Sequence, residues 1–274
     1  MKRKGLISAI VLIALLFSFV ACSGNGDRSD TDPSSPEISI PDRVLLSKTS
    51  IDSSGNEYRK EVYEYNEYGS VKCLTIYHNG GKINTTEYTY DSRNRCLSKT
   101  VTDYNFNYDT VENYSYIYEE NGNYVCQGPD TVLSYTVDSV TGSYVVKETH
   151  HDSEYFLIWE NSFDPITKKI TNETYYTKNS YDEVSYSVDY RYDEYGELCE
   201  TIKTLKSGDV NKTVYLNQYD SGKLIHQAVY ENDAPRHSLS FEYNDMGELA
   251  KETVTLASGI LAYETVYEYG DFNK

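Results

Sequence analysis

The chain has 274 residues, with 25 basic and 43 acidic side chains and a formal net charge of −18 at pH 7. Nucleic acids and anionic headgroups are bound by clustered lysine and arginine, so this charge balance excludes both as expected partners. Thirty tyrosines against seven phenylalanines and one tryptophan favour strands, because a tyrosine ring suits a half-buried sheet surface. The composition therefore predicts an all-β protein.

Residues 1–21 are predicted to be a signal peptide. Three basic residues at positions 2–4 precede an uncharged apolar run, and small Ala21 comes directly before Cys22. This arrangement resembles the lipobox of bacterial lipoproteins, with Phe19 where that pattern usually has leucine. The resemblance implies cleavage before Cys22 and lipidation of Cys22, which anchors the protein to a membrane. The alternatives are an ordinary secreted protein or a short membrane helix.

Residues 22–42 are predicted to form a disordered tether. The segment is rich in Gly, Ser, Asp and Pro and has almost no apolar residue before Ile38, too little to offset the entropy of ordering. Twenty such residues reach roughly 25 Å on average, enough to hold a domain off a bilayer. In the sorting rule of enteric-type bacteria, a serine such as Ser23 after the lipidated cysteine favours the outer membrane. The expected location is therefore the cell envelope, at the outer membrane or the cell surface.

Residues 43–274 are predicted to be one β-repeat domain, because one motif recurs along them. It consists of an aromatic residue, any residue, Tyr, Asp or Asn, two residues, Gly, one residue and an apolar residue. We call the second aromatic the motif tyrosine and the first the leading aromatic. Clear copies begin at Tyr63, Tyr190 and Phe241. The motif positions lie roughly 26 residues apart, which fits two strands and two turns per repeat. These positions are Tyr65, Tyr90, Tyr118, Val137, Phe163, Tyr192, Tyr219, Tyr243 and Tyr269.

Within the motif, the residue between the two aromatics is polar in all but one copy, which indicates a strand with one buried and one wet face. Asp or Asn followed by Gly is typical of a turn. The fold predicted is an antiparallel meander of about nine β-hairpin repeats, seventeen or eighteen strands in all. A single sheet cannot leave a tyrosine face open, so we expect a curled or spiral sheet with that face inward, with a closed barrel as the alternative. An odd repeat number argues against a propeller.

The motif also resembles the YD, or Rhs, repeat of bacterial surface and toxin-shell proteins, most closely over 192–198. The run from Phe163 to Ile170 resembles the longer variant with Pro after Asp. In that family the repeats form a continuous sheet that spirals into a shell around a toxin. This chain has too few repeats to enclose such a domain, so the resemblance implies sheet geometry and not a cage.

The residues that carry chemistry elsewhere give no catalytic, cofactor or metal assignment here. The five histidines show no ligand spacing, and adjacent strand residues such as His150 and His151 face opposite sides; the others are His78, His226 and His237. Acidic pairs such as Glu119-Glu120 and Asp182-Glu183 fall in predicted turns, where solvation is their ordinary state. Four cysteines occupy similar strand positions and are interpreted as free buried thiols, with disulfides as the alternative. They are Cys73, Cys96, Cys126 and Cys199.

No motif for nucleophilic or zinc-dependent hydrolysis is present. Trp159 lies in an apolar run and is interpreted as core, with a sugar-stacking platform as the alternative. The leading hypothesis is a membrane-anchored, non-enzymatic envelope lipoprotein that presents a surface for binding or adhesion to a protein or glycan ligand. The alternatives are an envelope enzyme acting on glycans through paired carboxylates, or an accessory protein of an Rhs-type toxin system. Specificity is expected where the motif is broken, over 104–108, 128–137 and 155–170.

Overall fold

The computed structural model describes residues 40–104, 109–138, 143–150, 156–167, 169–177 and 184–272, which form eighteen β-strands. The predicted signal peptide, Cys22 and the tether up to residue 39 lie outside the described residues. The strands are β1 (Arg43–Asp52), β2 (Glu57–Tyr65), β3 (Val71–His78), β4 (Gly81–Tyr90), β5 (Cys96–Tyr104), β6 (Asp109–Tyr118), β7 (Tyr124–Gln127), β8 (Thr131–Val137), β9 (Tyr144–His150), β10 (Phe156–Phe163), β11 (Ile170–Thr177), β12 (Val184–Tyr192), β13 (Leu198–Leu205), β14 (Val210–Asp220), β15 (Lys223–Glu231), β16 (Ala234–Tyr243), β17 (Leu249–Leu256) and β18 (Leu261–Asp271).

The eighteen strands close into a barrel. Each strand pairs antiparallel with the next, and β18 pairs with β1 along its length. The predicted all-β meander of nine hairpin repeats is confirmed, and its closure is the closed barrel that was the alternative to an open curl or spiral. At the seam, Arg43 Nε donates to Glu248 Oε1 at 2.8 Å and Arg43 Nη1 donates to Asp271 at 3.0 Å.

The barrel is wide enough to be hollow. With strands about 4.8 Å apart and tilted by about 40°, a circular barrel of this strand number is about 36 Å across, and barrels of this size leave an open lumen. In the described part of the chain, each strand packs only against its two neighbours around the ring. The wall is therefore one sheet thick.

The tyrosine side of the sheet is the concave, inward side. In β6 the rings at 114, 116 and 118 are half-buried, while Ile117 between them is 59% exposed. In β14, Leu216 is 53% exposed between half-buried Tyr215 and Asn217. Side chains converge on the concave face of a closed sheet and diverge on the convex face, so the more crowded side faces the lumen. The position of Lys48 is consistent with an inward-facing tyrosine side, because its ammonium lies 5.9 Å from rings on both flanking strands.

Five of the seven motif tyrosines bond to the backbone of the preceding repeat, and Tyr219 bonds instead to the Asp193 carboxylate of that repeat. Tyr192, for example, donates its hydroxyl proton to the carbonyl of Ile170 at 2.9 Å. That carbonyl lies where the β10–β11 register shifts at a bulge, and a bulge takes backbone groups out of the ladder. The hydroxyl supplies the partner that a buried carbonyl needs. The same bond to a carbonyl at a bulge or register shift is made by Tyr65 to Leu45, Tyr90 to Val71, Tyr118 to Cys96 and Tyr243 to Leu224.

The motif turns have the predicted chemistry. The Asp193 carboxylate accepts from the amides of Tyr195 and Glu197 at 3.0 and 2.9 Å, and Gly196 has a φ of +83° that L side chains rarely adopt. A Cβ at Gly196 would lie 2.5 Å from Lys169 Nζ, whose ammonium stands over the Tyr192 ring. Gly196 is therefore required for two reasons: it adopts the positive φ of the turn, and its lack of a Cβ leaves room for Lys169 of the preceding repeat.

The densest packing lies around short strand β7. Cys126, Leu133, Tyr135 and Val146 form a buried cluster, and partly buried rings pack against it, including Trp159. The break in the motif at 128–137, where specificity was expected, thus contributes Leu133 and Tyr135 to the core. The core interpretation of Trp159 agrees with this packing. Residues 105–108 and Tyr155, in the other expected breaks, lie outside the described residues.

The first prediction compares the motif tyrosine Tyr192 with the leading aromatic Tyr190. Tyr192→Phe removes the hydroxyl bonded to the Ile170 carbonyl and should lower the free energy of unfolding by about 1 kcal/mol, because a buried carbonyl loses its partner. Tyr190→Phe is the control, since no described residue bonds to that hydroxyl. Urea unfolding followed by circular dichroism measures both, and equal effects of the two changes would contradict the assigned role.

Candidate functional site

A cavity of about 520 Å³ opens on the inner wall between β12 and β15. Its rings and polar groups come from alternate positions of neighbouring strands, which a period-two pattern places on one face. The lining residues are Val188, Tyr190, Leu198, Thr201, Lys203, Leu205, Asn211, Thr213, Tyr215 and Glu231. The depression is open to the lumen and brings aromatic, apolar and hydrogen-bonding groups together.

The tyrosines of this cavity differ from the motif tyrosines in their hydrogen bonding. Among the described residues, the hydroxyls of Tyr190 and Tyr215 have no hydrogen-bond partner, whereas the neighbouring motif residue Tyr192 is bonded to a carbonyl. Burial, then the nearby Glu173 carboxylate, raises the pKa of Tyr190, so its hydroxyl is a neutral donor at physiological pH. Both hydroxyls are available to a ligand.

A row of aromatic rings continues along the same wall. Trp159, Tyr175 and Tyr186 follow one another on β10, β11 and β12, with ring centroids 5.3 and 5.1 Å apart. Lys203 stands over the Tyr186 ring with its ammonium 3.9 Å from the centroid, a cation–π contact at the edge of the cavity. The inner wall from β10 to β15 therefore presents one extended aromatic surface.

A second group of titratable residues lies beside the seam. Burial opposes ionisation of Glu61, but the Tyr63 hydroxyl, Lys48 and Arg59 outweigh it and lower the pKa of that carboxyl. Burial raises the pKa of Glu252, with Lys48 acting in the opposite direction. The Tyr63 hydroxyl donates to Glu61 at 2.5 Å. Sequence reasoning missed this group, because its members are far apart in the chain and belong to no motif.

These two carboxylates lie on either side of the seam. Glu61 is on β2 and Glu252 on β17, with β18 and β1 between them. The charge of Lys48 acts on both carboxyl groups, and both act on the Tyr267 hydroxyl. The pKa of Glu61 shifts in the opposite direction to that of Glu252 because Glu61 also accepts hydrogen bonds from Tyr63 and Arg59.

The four described cysteines are free thiols. Cys73, Cys96 and Cys126 are on β3, β5 and β7, so a strand separates each from the next, and Cys199 is on distant β13. Two strand spacings hold Cα atoms about 10 Å apart, beyond the roughly 7 Å limit for a disulfide. The interpretation as free thiols therefore agrees with the geometry, although only Cys126 is fully buried.

The histidines and acidic pairs that the structure describes form no shared site. His226 Nδ1 lies 3.2 Å from Ser240 Oγ on the outer face. Within the described residues, no group of three or more His, Cys, Asp or Glu side chains could hold a metal ion. Glu119 belongs to a motif turn, while His151 and the Asp182-Glu183 pair lie outside the described residues.

The described part of the chain contains no helix that is long and apolar enough to cross a membrane. No family model matches the sequence, and no curated protein matches it. Among solved structures, a porin-like protein of Bacteroides uniformis is similar at 9% identity, with 82% of this chain and 98% of that chain covered and a TM-score of 0.48. A porin-like protein of Bacteroides vulgatus is similar at 11% identity, with coverages of 83% and 99% and a TM-score of 0.37. Both TM-scores are below 0.5, so neither similarity carries an assignment of function.

A second prediction concerns the thiols. In the native protein Cys126 should react slowest with an alkylating agent, because it is only 3% exposed. Cys96 should also react slowly below pH 11, since burial raises its thiol pKa to about 11 and keeps the nucleophilic thiolate scarce. Mass spectrometry after timed alkylation measures both. The gel mobility should be the same with and without a reducing agent, because these thiols are free. A cross-linked cysteine pair would contradict the strand assignment.

Proposed function

We propose that the protein is a lipid-anchored lipoprotein of the bacterial cell envelope whose hollow barrel binds a protein or glycan ligand on its inner wall. The observation that carries the proposal is the cavity between β12 and β15, where Tyr190 and Tyr215 offer hydroxyls that no described residue occupies. Five motif tyrosines, by contrast, donate their hydroxyls to backbone carbonyls. The function is binding and not catalysis.

The anchor is supported by the signal-like start of the chain and by Cys22 directly after Ala21. A lipid chain alone gives weak, reversible membrane binding, so additional chains on the same terminus or a further contact are needed for stable attachment. Because the barrel begins at Arg43, a segment of about twenty residues separates it from Cys22.

The outer wall supports a tethered barrel and not one whose wall faces lipid. Outward-facing Glu200 on β13 accepts from Arg191 at 2.6 Å and pairs with Lys212 at 2.5 Å. On β17, Lys251 pairs with Glu264 at 2.6 Å and with Glu242 at 3.7 Å. A charged side chain at the bilayer midplane costs about 2–4 kcal/mol in a barrel wall. These two groups of ion pairs therefore favour water, and not lipid, around the outer wall.

The third prediction tests the anchor. The full-length protein, expressed in a bacterial host with a labelled fatty acid, should incorporate the label and fractionate with membranes. Cys22→Ser should abolish labelling, because the acceptor thiol is gone. Cys199→Ser is the matched control and should keep it. Labelling that persists in Cys22→Ser, or its absence from the unaltered protein, would contradict the proposed anchor.

The fourth prediction tests the inner-wall site. The full-length protein, extracted in a detergent without a sugar headgroup, is screened on glycan and peptide arrays. Tyr215→Ala should weaken the strongest interaction about tenfold, equivalent to the loss of about 1.4 kcal/mol. Tyr192→Phe should leave that interaction unchanged, since its hydroxyl is bonded inside the protein.

Circular dichroism confirms that each variant is folded before its binding is compared. Lys203→Met, which keeps most of the side-chain volume, provides a second variant at the edge of the cavity. Binding that survives both Tyr215→Ala and Lys203→Met would place the ligand elsewhere. Failure to bind anything on either array would also refute the proposal.

A further inference from the structure

Both ends of the barrel chain lie at the same rim as the motif turns. β1 begins beside the end of β18, where Arg43 pairs with Asp271 in register, and the Phe272 amide donates to the Asp42 carbonyl at 2.9 Å. Since the strands alternate in direction, the turns that follow even-numbered strands are at this rim. We call it the proximal rim, and the opposite end the distal rim.

Turns of the same type at the two rims have different residues at their tips. In each, the amide of the first residue donates to the carbonyl of the fifth, and the amide of the fourth donates to the carbonyl of the first. At the distal rim the third residue, which forms the tip, is Ser54, Ser207 or Ser258. At the proximal rim the corresponding residues are Tyr68, Arg93, Asn121, Tyr195 and Met246.

Exposed apolar tips recur along one arc of the proximal rim, in the turns after β10, β12 and β16, while the turn after β14, at Ser221 and Gly222, is polar. Ile166, in the turn after β10, is 88% exposed, Tyr195 after β12 is 55% exposed, and Met246 after β16 is 65% exposed. Ile40 and Leu46, at the start of β1, are 48% and 43% exposed and extend the arc to the point where the chain enters the barrel. Exposed apolar residues at the distal rim, such as Ile260, flank strands and do not form tips.

We propose that this arc of the proximal rim docks on the lipid surface to which the protein is tethered, with the turn tips at the headgroup level. This inference depends on the lipid anchor of the proposed function. Residues 23–42 join Cys22 to the arc, so the anchor holds these tips near the bilayer. A tether raises the effective concentration of the contact, and weak interfacial contacts then suffice.

The occupant is a zwitterionic surface. Tyrosine and aliphatic side chains partition favourably into the interface between headgroups and acyl chains. Both signs of charge are present at two of the tips. Glu194 precedes Tyr195 while the Lys169 ammonium lies beside Gly196, and Asp245 precedes Met246 while the Lys223 ammonium lies beside Gly247. Phosphatidylcholine-like or phosphatidylethanolamine-like headgroups, which also carry both signs, match this mixture. Docking in this orientation directs the distal opening of the barrel away from the membrane.

The experiment uses tryptophan as a depth probe in the lipidated full-length protein, reconstituted into phosphatidylcholine vesicles. Met246→Trp places the probe at a proximal tip, and Ser258→Trp places it at the same position of a distal turn. Trp159 is present in all the proteins, so the unaltered protein supplies its contribution. Vesicles with and without bromine-substituted acyl chains report contact with lipid.

Emission from Met246→Trp should shift to shorter wavelength and lose intensity in brominated vesicles, while Ser258→Trp should do neither. Equal quenching at both rims, or none at Met246→Trp, overturns the docking, and Ile166→Trp repeats the test if Met246→Trp fails to fold. Protein that floats with vesicles but is not quenched refutes docking alone. Protein that carries no lipid and does not float refutes the anchor and the docking together.

Discussion

The bond that five motif tyrosines make to a carbonyl of the preceding repeat is the interaction on which the barrel depends. A bulge removes that carbonyl from the ladder, and the hydroxyl restores its partner, as in the pair Tyr192–Ile170 at 2.9 Å. The acceptor always belongs to the repeat before, so the bond couples repeats as well as satisfying a backbone group. Tyr65 extends the pattern to the seam by donating to Leu45, at the register shift of the β1–β18 pair. The bond thus occurs at the first strand of the ring as well as between later repeats.

The sequence predicted what local chemistry determines. Alternation at Tyr63 and Tyr65 indicated strands with one crowded face, and Asp193 with Gly196 indicated a turn that the structure contains in that form. Closure could not be predicted, because β1 and β18 meet across more than 200 residues and the Arg43–Glu248 pair has no local signal. The candidate site could not be predicted from the sequence either. Tyr190 and Tyr192 are the same residue type in the same motif, and only the position of the Ile170 carbonyl separates a structural hydroxyl from one open to a ligand.

One broken copy of the motif contributes to packing. In the stretch 128–137, Leu133 and Tyr135 pack beside β7, which has only four residues. The regular copies carry the candidate binding surface, since Tyr190 and Tyr215 extend into the lumen. The outer face carries the ion pairs that involve Glu200 and Lys251. The inner face of the sheet thus carries the candidate binding site, and the outer face carries charged residues that contact water.

Closure also restricts how such a protein changes in evolution. A ring of antiparallel strands accepts strands only in pairs, because a single added strand would leave two neighbours parallel at the seam. Duplication or loss of one repeat satisfies this rule, and a duplicated repeat of the regular type brings both a tyrosine and a bulge carbonyl. One added pair lengthens the circumference by about 12 Å. Gene duplication within a family of such barrels therefore changes the width of the lumen in discrete steps, while the chain ends remain side by side on the same rim.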